Sequence, residues 1–452
     1  MGACAPFFYD SDAESPTVHN RLTPSDEQYA KIQATKDAAQ ARLEQHLRQR
    51  SGRPVRFWIQ GSYKNGTIIR PVRKGDEFDV DLGAYIEWPG HQFGPQPLQV
   101  KTWSREALAV LAHSRPGAEL ETPPKKRCER INIDREFHLD VPTYHLDDDA
   151  DQRRLATQAN TWEHSDPKAL QVWLLKSTEG RDRDAIKRSI KYFKGWAALK
   201  WKDERKRPSS TALMVLAVCL HPDGHPDDEA FGAMVRRSRE HFDRHTTVAN
   251  PVDREEDLLR KGAEDFELFR RQLAECDAAC ARALERSDPQ HAAIHWGEVF
   301  EHLFPPMRER VAAVDNITNL PALYLRPALR VDVYSHNPRR YLISYSDDFS
   351  VTKDCDLEYS ITNHQDIPWD ATVTWVVRNQ GGEAGKVNDL GHTARGPRRL
   401  QQHEETRYAG NHYMDCIVTR NLDFLGMSSI RVTITDRAFR RPTARPWYNR
   451  FR

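Results

Sequence analysis

The chain has 452 residues, more than one domain usually holds, so we expect two or three compact units. Its 67 lysines and arginines nearly balance its 66 aspartates and glutamates, which argues against a globally basic protein that binds long polyanions and restricts nucleotide contacts to local sites. The longest apolar run, 212–220, is too short for a membrane span, and the start lacks the order of a signal peptide. We therefore expect a cytoplasmic protein without membrane contact.

A long helix over residues 24–50 is the first predicted element. Ser25 or Thr23 precedes acidic first-turn residues, as is typical of a helix start, and Ser51-Gly52 is a typical end. Three β-rich stretches follow, at 55–60, 78–86 and 130–142, the last a pair of strand fragments that ends in Asp140.

The second half of the chain divides into a helical and a β-rich part. From about 165 to 310 the apolar pattern is helical, and near 330 it gives way to short alternating runs separated by turn residues. These runs predict a separate β-sandwich. The fold class is therefore α+β, with an α/β lobe at 1–165, an α-helical lobe at 166–330, a β-sandwich at 331–436 and a basic aromatic tail at 437–452.

Two aspartates alternate on the second predicted strand. Residues i and i+2 point to the same face of a strand, so Asp79 and Asp81 place two carboxylates side by side. A divalent cation relieves their repulsion, and two cations about 4 Å apart would activate an attacking hydroxyl and hold a departing pyrophosphate. Such a centre needs a third carboxylate from another strand, and Asp140 suits that role. An Asp-x-Asp pair alone is common on solvated strands, so the combination carries the prediction.

A Gly-Ser pair follows the first predicted strand. Gly61 lets backbone N–H groups approach phosphate oxygens, and the Ser62 hydroxyl adds a donor. Cationic side chains nearby add positive charge for a phosphate; they are Lys64 and either Arg70 or Arg73. Such a pair alone is usually just a turn, but it gains meaning from the aspartates that follow it.

Taken together, "GSYKNGT", "DEFDVD" and "FHLDVP" resemble the Gly-Ser, paired-Asp and third-Asp motifs of polymerase-β-like nucleotidyltransferases, most closely the cGAS/DncV-like group known as CD-NTases. The resemblance covers about 24–320. "SIKYFKGW" is similar to the family helix whose lysine reaches the donor triphosphate, which implies Lys191, although Lys187 and Lys194 share its predicted face. "RPSSTALMVL" implies a phosphate contact at Ser210, with Ser209 as the alternative.

By this resemblance the protein transfers nucleotidyl groups with two Mg²⁺ ions, Mn²⁺ being an alternative. Asp79 and Asp81 bind both ions, and Asp140 binds the catalytic one. Gly61, Ser62, Lys191 and Ser210 hold the triphosphate. "VANPVDREEDLL" matches a further family segment centred on Asn250 and Pro251. The resemblance implies NTP substrates, with dNTPs as an option, and a cyclic or short oligonucleotide second messenger in CBASS-like antiphage signalling that reaches a downstream effector.

The C-terminal β-rich part, about 330–436, resembles the AGS-C sensor module found fused to bacterial enzymes of this group. The resemblance implies a regulatory ligand or activator at this domain. Aromatic and Arg side chains stack on bases, and Asn and Glu bond their edges. The candidates are Trp375, Arg378, Asn379, Glu383, Tyr408 and His412. Trp375 lies mid-strand, so the sequence alone favours a place in the core.

Two other functions stay open at this point. A protein-primed or terminal nucleotidyltransferase would make DNA or RNA oligomers or modify a protein partner, with Tyr448 in the tail as a candidate primer. A nucleotide-binding regulatory protein would use the catalytic lobe as a scaffold only. Base choice is also open, because four aromatic residues are equal candidates for stacking: Tyr85, Trp88, Tyr144 and Tyr192.

Overall fold

The computed structural model describes residues 2–12, 15–306, 325–421 and 423–436. The chain divides into two compact units, Met1–Phe300 and Glu301–Arg452. The predicted tail at 437–452, with Tyr448, lies outside the described residues. In the described part of the chain, no helix combines the length and the apolar character that crossing a membrane requires.

Three helices precede the first strand: α1 (Ala5–Phe8), α2 (Val18–Leu22) and α3 (Asp26–Ser51). The predicted long helix is confirmed as α3. Ser25 is its N-cap, since the Ser25 hydroxyl accepts from the Gln28 N–H while the Gln28 side chain accepts from the Ser25 N–H. Thr23 instead ends α2, and Gly52 ends α3 in the left-handed conformation.

A mixed eight-stranded sheet forms the centre of the first unit. Its strands are β1 (Val55–Gln60), β2 (Phe78–Glu87), β3 (Ala118–Leu120), β4 (Glu129–Ile133), β5 (Phe137–Val141), β6 (Thr143–Asp147), β7 (Gln152–Ala156) and β8 (Trp162–His164). The order is β3-β4-β5-β2-β6-β7-β8, with β1 antiparallel to β2. The two fragments predicted in 130–142 are confirmed as the antiparallel pair β4 and β5. Strand β2 runs parallel to both β5 and β6, so the predicted catalytic strand is central.

Helices α3 and α5 (Pro97–Ser114) pack on this sheet, and α4 (Gly61–Lys64) is a single turn after β1. The core between them includes Leu43, Leu108 and Leu139. Burial of these apolar faces, which recur at the helix and strand periods, stabilises the lobe.

The rest of the first unit is mainly helical, as predicted. Its elements are α6 (Pro167–Ser177), α7 (Arg183–Lys200), α8 (Ser210–Leu220), α9 (Asp227–Phe242), the short hairpin β9 (Ala249–Asn250) and β10 (Asp253–Asp257), α10 (Ala263–Leu284) and α11 (Pro289–Phe300). Phe8 of α1 packs edge-on against Tyr192 of α7 and Trp296 of α11, which ties the start of the chain to these helices. The sheet and these helices together form one compact unit.

The second unit is a β-sandwich. Its described strands are β11 (Leu329–Ser335), β12 (Arg340–Tyr345), β13 (Phe349–Thr352), β14 (Cys355–Ile361), β15 (Thr372–Gln380), β16 (Gly391–Pro397), β17 (Gln401–Glu405), β18 (Gly410–Arg420) and β19 (Asp423–Thr435), and the short helix α12 (Gly382–Lys386) follows β15. They form a four-stranded sheet, β12-β11-β14-β17, and a five-stranded sheet, β13-β19-β18-β15-β16. Val331, Leu357, Trp375 and Val432 from both sheets share one core, which confirms the predicted sandwich.

This unit begins at Glu301, ahead of the start at 331 that the composition predicts. The described residues 301–306 contact the β-sandwich, since the carbonyl of Phe304 accepts a hydrogen bond of 2.6 Å from Arg378 Nε on β15. Residues 301–306, which have no strand pattern of their own, thus belong to the β-sandwich unit.

Candidate active site

The turn between β1 and α4 is built around Gly61. Gly61 has a φ of +62°, a left-handed conformation that favours glycine. A Cβ atom at this position would lie 2.3 Å from Asp81 Oδ2, so the residue needs the absence of a side chain for a second reason. The turn is therefore fitted closely against the carboxylate of the neighbouring strand.

Strand register brings the three predicted aspartates together. Asp81 stands opposite Gln60 of β1 on one side and opposite Asp140 of β5 on the other, and Asp79 lies two residues before it on the same face. Ligand oxygens of Asp79, Asp81 and Asp140 all lie within 4.8 Å of one another. The structure thus assembles the oxygen-ligand set that the sequence indicates for a divalent ion.

The crowding of these carboxylates appears in their pKa values. Burial raises the pKa of Asp81 well above its usual value, and the charges of Asp79 and Asp140 raise it further. Desolvation also acts to raise the pKa of Asp79, but the hydrogen bond from His138 and the charges of His138 and Arg130 outweigh it, so this pKa is lowered. The centre therefore holds neighbouring carboxylates with opposite pKa shifts.

Two basic side chains that the sequence analysis did not single out contact the aspartates. His138 stands opposite Asp79 on β5, and its Nε2 lies 2.9 Å from Asp79 Oδ1 while its Nδ1 lies 3.3 Å from Glu77 Oε2. Arg130 stands opposite Asp140 and forms a two-pronged ion pair with it. A signal for His138 was present, since it lies two residues before Asp140 on the same strand and so on the same face.

Two cavities meet at the carboxylates. The first has a volume of about 630 Å³ and the second about 560 Å³, both within the range of small-molecule sites. Residues that line both include Gly61, Ser62, Asp81, Lys194 and Ser210. The predicted Gly-Ser turn and Ser210 are thus brought to one cleft beside the aspartates.

Of the three lysines considered on α7, Lys194 is the one that lines this cleft, one helical turn beyond Lys191. Lys194 lines both cavities, and its Nζ donates a hydrogen bond of 2.8 Å to the Thr67 carbonyl. Burial lowers its pKa to about 8. Lys191 lines neither cavity and donates to Thr23 Oγ1 at 3.0 Å, and Lys187 pairs with Asp184 at 3.3 Å. The geometry therefore favours Lys194 over the residue that the resemblance implies.

The serine pair at the start of α8 divides its roles. Ser209 is the N-cap, since its hydroxyl accepts from the Ala212 N–H and donates to the Leu258 carbonyl at 2.6 Å. Ser210 lines both cavities, whereas Ser209 lines only the second. Ser210 is thus better placed than Ser209 for a phosphate contact at this helix start.

The other cationic and family-segment residues occupy different places. Lys64 and Asn250 line the first cavity, where the Asn250 amide donates to Glu256 at 2.6 Å. Arg70 lines the second cavity. Arg73 lines neither cavity. Its guanidinium donates to the Ala198 carbonyl at 2.5 Å and to the Leu199 carbonyl at the end of α7.

The aromatic candidates separate once their packing is known. Tyr85 and Tyr144 stack with centroids 4.6 Å apart, and their hydroxyls hold the amide of Gln60, which donates to Tyr85 at 2.7 Å. Trp88 and Tyr192 are buried in the core. Trp58, which the sequence analysis missed, lines the first cavity with the ammonium of Lys64 5.3 Å from its ring centre. Of the four candidates only Tyr144 lines this cavity.

In the β-sandwich, three of the candidate ligand residues are buried and bonded internally. Trp375 is fully buried and donates to the Arg399 carbonyl, Arg378 pairs with Asp415, and Asn379 donates to the Asp389 carbonyl. The Glu383 carboxylate pairs with Lys353, and His412 contacts the Tyr408 carbonyl at 3.4 Å. These contacts are structural in kind, and the role of these six residues in ligand binding stays a prediction.

Comparison with known proteins places this site in a family. Residues 55–144 match the family model described as "Cyclic GMP-AMP synthase DncV-like, nucleotidyltransferase domain", and 299–435 match the "Adenylyl/Guanylyl and SMODS C-terminal sensor domain". A protein of Escherichia albertii named cyclic GMP-AMP synthase is 30% identical over 449 residues, which cover 98% of this chain and 99% of that protein. The chain belongs to the cGAS/DncV-like nucleotidyltransferase family. It is a nucleotidyltransferase with a C-terminal sensor domain of the AGS-C type, as the motifs predicted.

More distant relatives agree with this assignment. A cyclic GMP-AMP synthase of Vibrio cholerae is 26% identical over 212 residues, 37% of this chain and 47% of that protein. The crystal structure of Vibrio cholerae DncV with the linear intermediate 5′ pppA(3′,5′)pG matches with a TM-score of 0.57 at 18% identity, over 67% of this chain and 97% of that one. At this identity the likeness shows the fold. Enzymes of this family generally use divalent metal ions, and the three carboxylates of this cleft offer suitable oxygen ligands.

Proposed function

We propose that the protein joins nucleoside triphosphates into a cyclic or short oligonucleotide and releases pyrophosphate. The observation that carries this proposal is the meeting of Asp79, Asp81 and Asp140 with the Gly61–Lys64 turn in one cleft. In each transfer, the hydroxyl oxygen of the acceptor nucleotide forms a bond to the α-phosphorus. The bond from that phosphorus to the bridging oxygen of the β-phosphate breaks, and the hydroxyl proton leaves to solvent.

Each part of the cleft has a task in this reaction. Asp79 and Asp81 would hold two Mg²⁺ ions, with Mn²⁺ as an alternative, and Asp140 would share the ion nearest the acceptor hydroxyl. Such ions make the hydroxyl more acidic and neutralise the leaving pyrophosphate. Ser62, Lys194 and Ser210 would bind the triphosphate, since an ammonium, two hydroxyls and a helix start attract phosphate oxygens.

The E. albertii relative that spans nearly the whole chain is named for a product of ATP and GTP, so these two are the first substrates to test. We further propose that the product is a second messenger in bacterial antiphage defence and acts on a downstream effector. The β-sandwich would then bind a regulatory ligand. These roles rest on the family, because the cleft geometry itself argues only for nucleotidyl transfer.

The test is turnover with purified protein, Mg²⁺ or Mn²⁺ and each labelled NTP, alone and mixed. We expect a small, phosphatase-resistant product, and a loss of pyrophosphate release of at least about 10²-fold in Asp79→Asn and in Asp81→Asn. Asp151→Asn is the matched control, since that carboxylate is 82% exposed and outside the cleft.

Three results would count against the proposal. Unchanged pyrophosphate release in a folded Asp79→Asn variant would remove the catalytic role of the trio. Label that stays on the protein or forms a ladder would indicate protein-primed or terminal transfer instead. Tight NTP binding without turnover under every condition would favour the regulatory function.

A further inference from the structure

Arg130 is bound directly to the proposed metal ligands. It stands opposite Asp140 on the neighbouring antiparallel strand, with its Nε 2.5 Å from Asp140 Oδ1 and its Nη2 2.7 Å from Oδ2. The same Nη2 lies 3.5 Å from Asp79 Oδ1. The Arg130 and Asp140 side chains are only 14% and 12% exposed. A two-pronged ion pair with little solvent is among the stronger polar contacts in proteins.

This contact uses the oxygens that a metal ion would need. Both Asp140 oxygens already accept a hydrogen bond from the guanidinium, which also reaches Asp79. The positive charge therefore lies between two carboxylates that an ion would have to bridge. A divalent cation within a few ångströms of a guanidinium is repelled by it, strongly so where solvent is limited.

Two arrangements are conceivable for a metal-loaded site. Arg130 either stays on Asp140 and orients it as an outer partner, as such partners commonly do, or it gives up the carboxylate to the metal. Its position across both Asp140 and Asp79 favours the second. Arg130 also lines the second cavity, so its side chain has space to move into on that side.

We propose that Arg130 is a built-in counter-ion that competes with divalent metal ions for Asp140 and so sets the metal concentration that the enzyme requires. The inference rests on the proposed function in one respect, namely that the aspartates bind metal. It assigns to Arg130 a positioning and competing role, separate from any contact with substrate.

The test is Mn²⁺ binding to chelator-treated, nucleotide-free, full-length protein, followed by electron paramagnetic resonance of free Mn²⁺. We expect Arg130→Gln to bind Mn²⁺ about tenfold more tightly than the unchanged protein. A tenfold change in affinity corresponds to about 1.4 kcal/mol, which is the size of effect expected from loss of a hydrogen bond to a charged group. Arg130→Lys, which keeps the charge but loses the fork, should lie between them. The matched control is Arg56→Gln, because Arg56 pairs with Glu87 across strands of the same sheet at 3.0 Å, outside the lining of the cleft, and we expect no change.

Weaker Mn²⁺ binding in Arg130→Gln would mean that Arg130 orients Asp140, and unchanged binding would mean that the two are not coupled; both overturn the inference. Circular dichroism checks the fold of each variant. If Arg130→Gln is misfolded, the inference is tested with Arg130→Lys alone, which should also bind Mn²⁺ more tightly than the unchanged protein. Asp140→Asn separates this inference from the proposed function. Mn²⁺ binding that Asp140→Asn weakens but Arg130→Gln leaves unchanged refutes only the inference. Failure of the unchanged protein and of Arg130→Gln to bind Mn²⁺ refutes the metal site itself.

Discussion

At the scale of single residues, Asp81 meets two opposed requirements. In its proposed role as a metal ligand it must be ionised, yet burial and the charges of Asp79 and Asp140 raise its pKa well above the usual value. A raised carboxyl pKa means that the ionised form is disfavoured in the folded protein relative to the unfolded chain. The folded protein therefore gives up stability to keep this carboxylate where the chemistry needs it.

We predict that Asp81→Asn melts at a higher temperature than the unchanged protein when metal is removed. Below the pKa that Asp81 has in the unfolded chain, Asp81 carries its proton in both the folded and the unfolded state, and folding stability is not reduced. As pH rises from there to the raised folded pKa, the unfolded state loses its proton first, so folding stability falls, and the cost is complete above the folded pKa. The melting temperature of Asp81→Asn should thus equal that of the unchanged protein in acid and exceed it by about 1–3 °C near neutral pH.

Thermal melting with a chelator across pH values measures this effect, with Asp151→Asn as the surface control. A lower melting temperature for Asp81→Asn at every pH would show that Asp81 is held mainly by favourable contacts.

The two lysines of α7 allow a second residue-level prediction. Lys194→Met should raise the KM for NTP about 10- to 100-fold, which corresponds to loss of a charge-assisted contact, while Lys191→Met should change it only a few-fold. Because burial lowers the pKa of Lys194 to about 8, the ammonium is lost as pH rises past that value. The kcat/KM of the unchanged protein should then fall above about pH 8, and Lys194→Arg should move the fall to higher pH.

Steady-state kinetics from pH 6.5 to 9.5 (about the range in which a shifted lysine titrates) tests both parts. A large KM effect in Lys191→Met with little in Lys194→Met would restore the assignment that the family resemblance implies.

At the scale of elements, the grouping of the aspartates was predictable, whereas the lysine of α7 that lines the cleft was not. Alternation with a period of two fixes which side chains of a strand share a face, so the proximity of Asp79 and Asp81 followed from spacing, while their role rested on the combination with Gly61-Ser62 and Asp140. On a helix, residues spaced by three, four and seven share a face as well, so Lys187, Lys191 and Lys194 remained equivalent until the depth of α7 beside the sheet was known. The pairing of Arg130 with Asp140 and of His138 with Asp79 depends on strand register, which a single sequence does not reveal, although the place of His138 on the face of Asp140 was predictable from spacing.

The turn at Gly61 supports a prediction about one element. In Gly61→Ala, a residue with a Cβ atom must adopt a positive φ, which costs about 1–2 kcal/mol of folding stability. The new methyl group would also collide with the Asp81 carboxylate. We expect a folded protein whose pyrophosphate release falls at least about tenfold, because displacement of a ligand by about 1 Å is costly in an active site.

Gly52→Ala is the matched control. Gly52 also has a positive φ, of +66°, but no atom lies within 4 Å of the position of an added Cβ. It should lose similar stability and keep its activity. Equal loss of activity in both variants would contradict a specific role for the Gly61 turn.

At the scale of the whole molecule, both compact units bury charged side chains. The cleft of the first unit holds crowded charges for chemistry, whereas the β-sandwich buries Arg378 and Asp415 as a closed pair at 3% exposure each. Removal of one partner of a buried pair costs about 3–5 kcal/mol, because the other charge is left uncompensated. A separate β-rich unit was predictable from the change of pattern near 330. That residues 301–306 group with it was not, because they have no strand pattern and their contacts, such as the hydrogen bond from Arg378 to the Phe304 carbonyl, appear only in the fold.

We therefore predict that Arg378 has a structural role, so that Arg378→Ala destabilises the β-sandwich as a whole. Hydrogen exchange of the full-length protein, read peptide by peptide, should show protection in β15 and β18 reduced about 10²-fold or more, with β2 and α7 unchanged. Glu383→Gln is the control, since that pair with Lys353 is largely exposed and should contribute little. Unchanged protection in Arg378→Ala would return Arg378 to the set of candidate ligand residues.

The contact of Arg73 with the end of α7 links a helix of the first unit to the loop before β2. Arg73 lies in the loop that leads into the catalytic strand, and it donates to the carbonyls of Ala198, Leu199 and Trp201. These carbonyls have few partners within the helix, so the guanidinium is held firmly there. The loop before β2 is thus fastened to the helical part of the same unit. We expect a shift of α7 to be passed through Arg73 to the strand that carries Asp79 and Asp81.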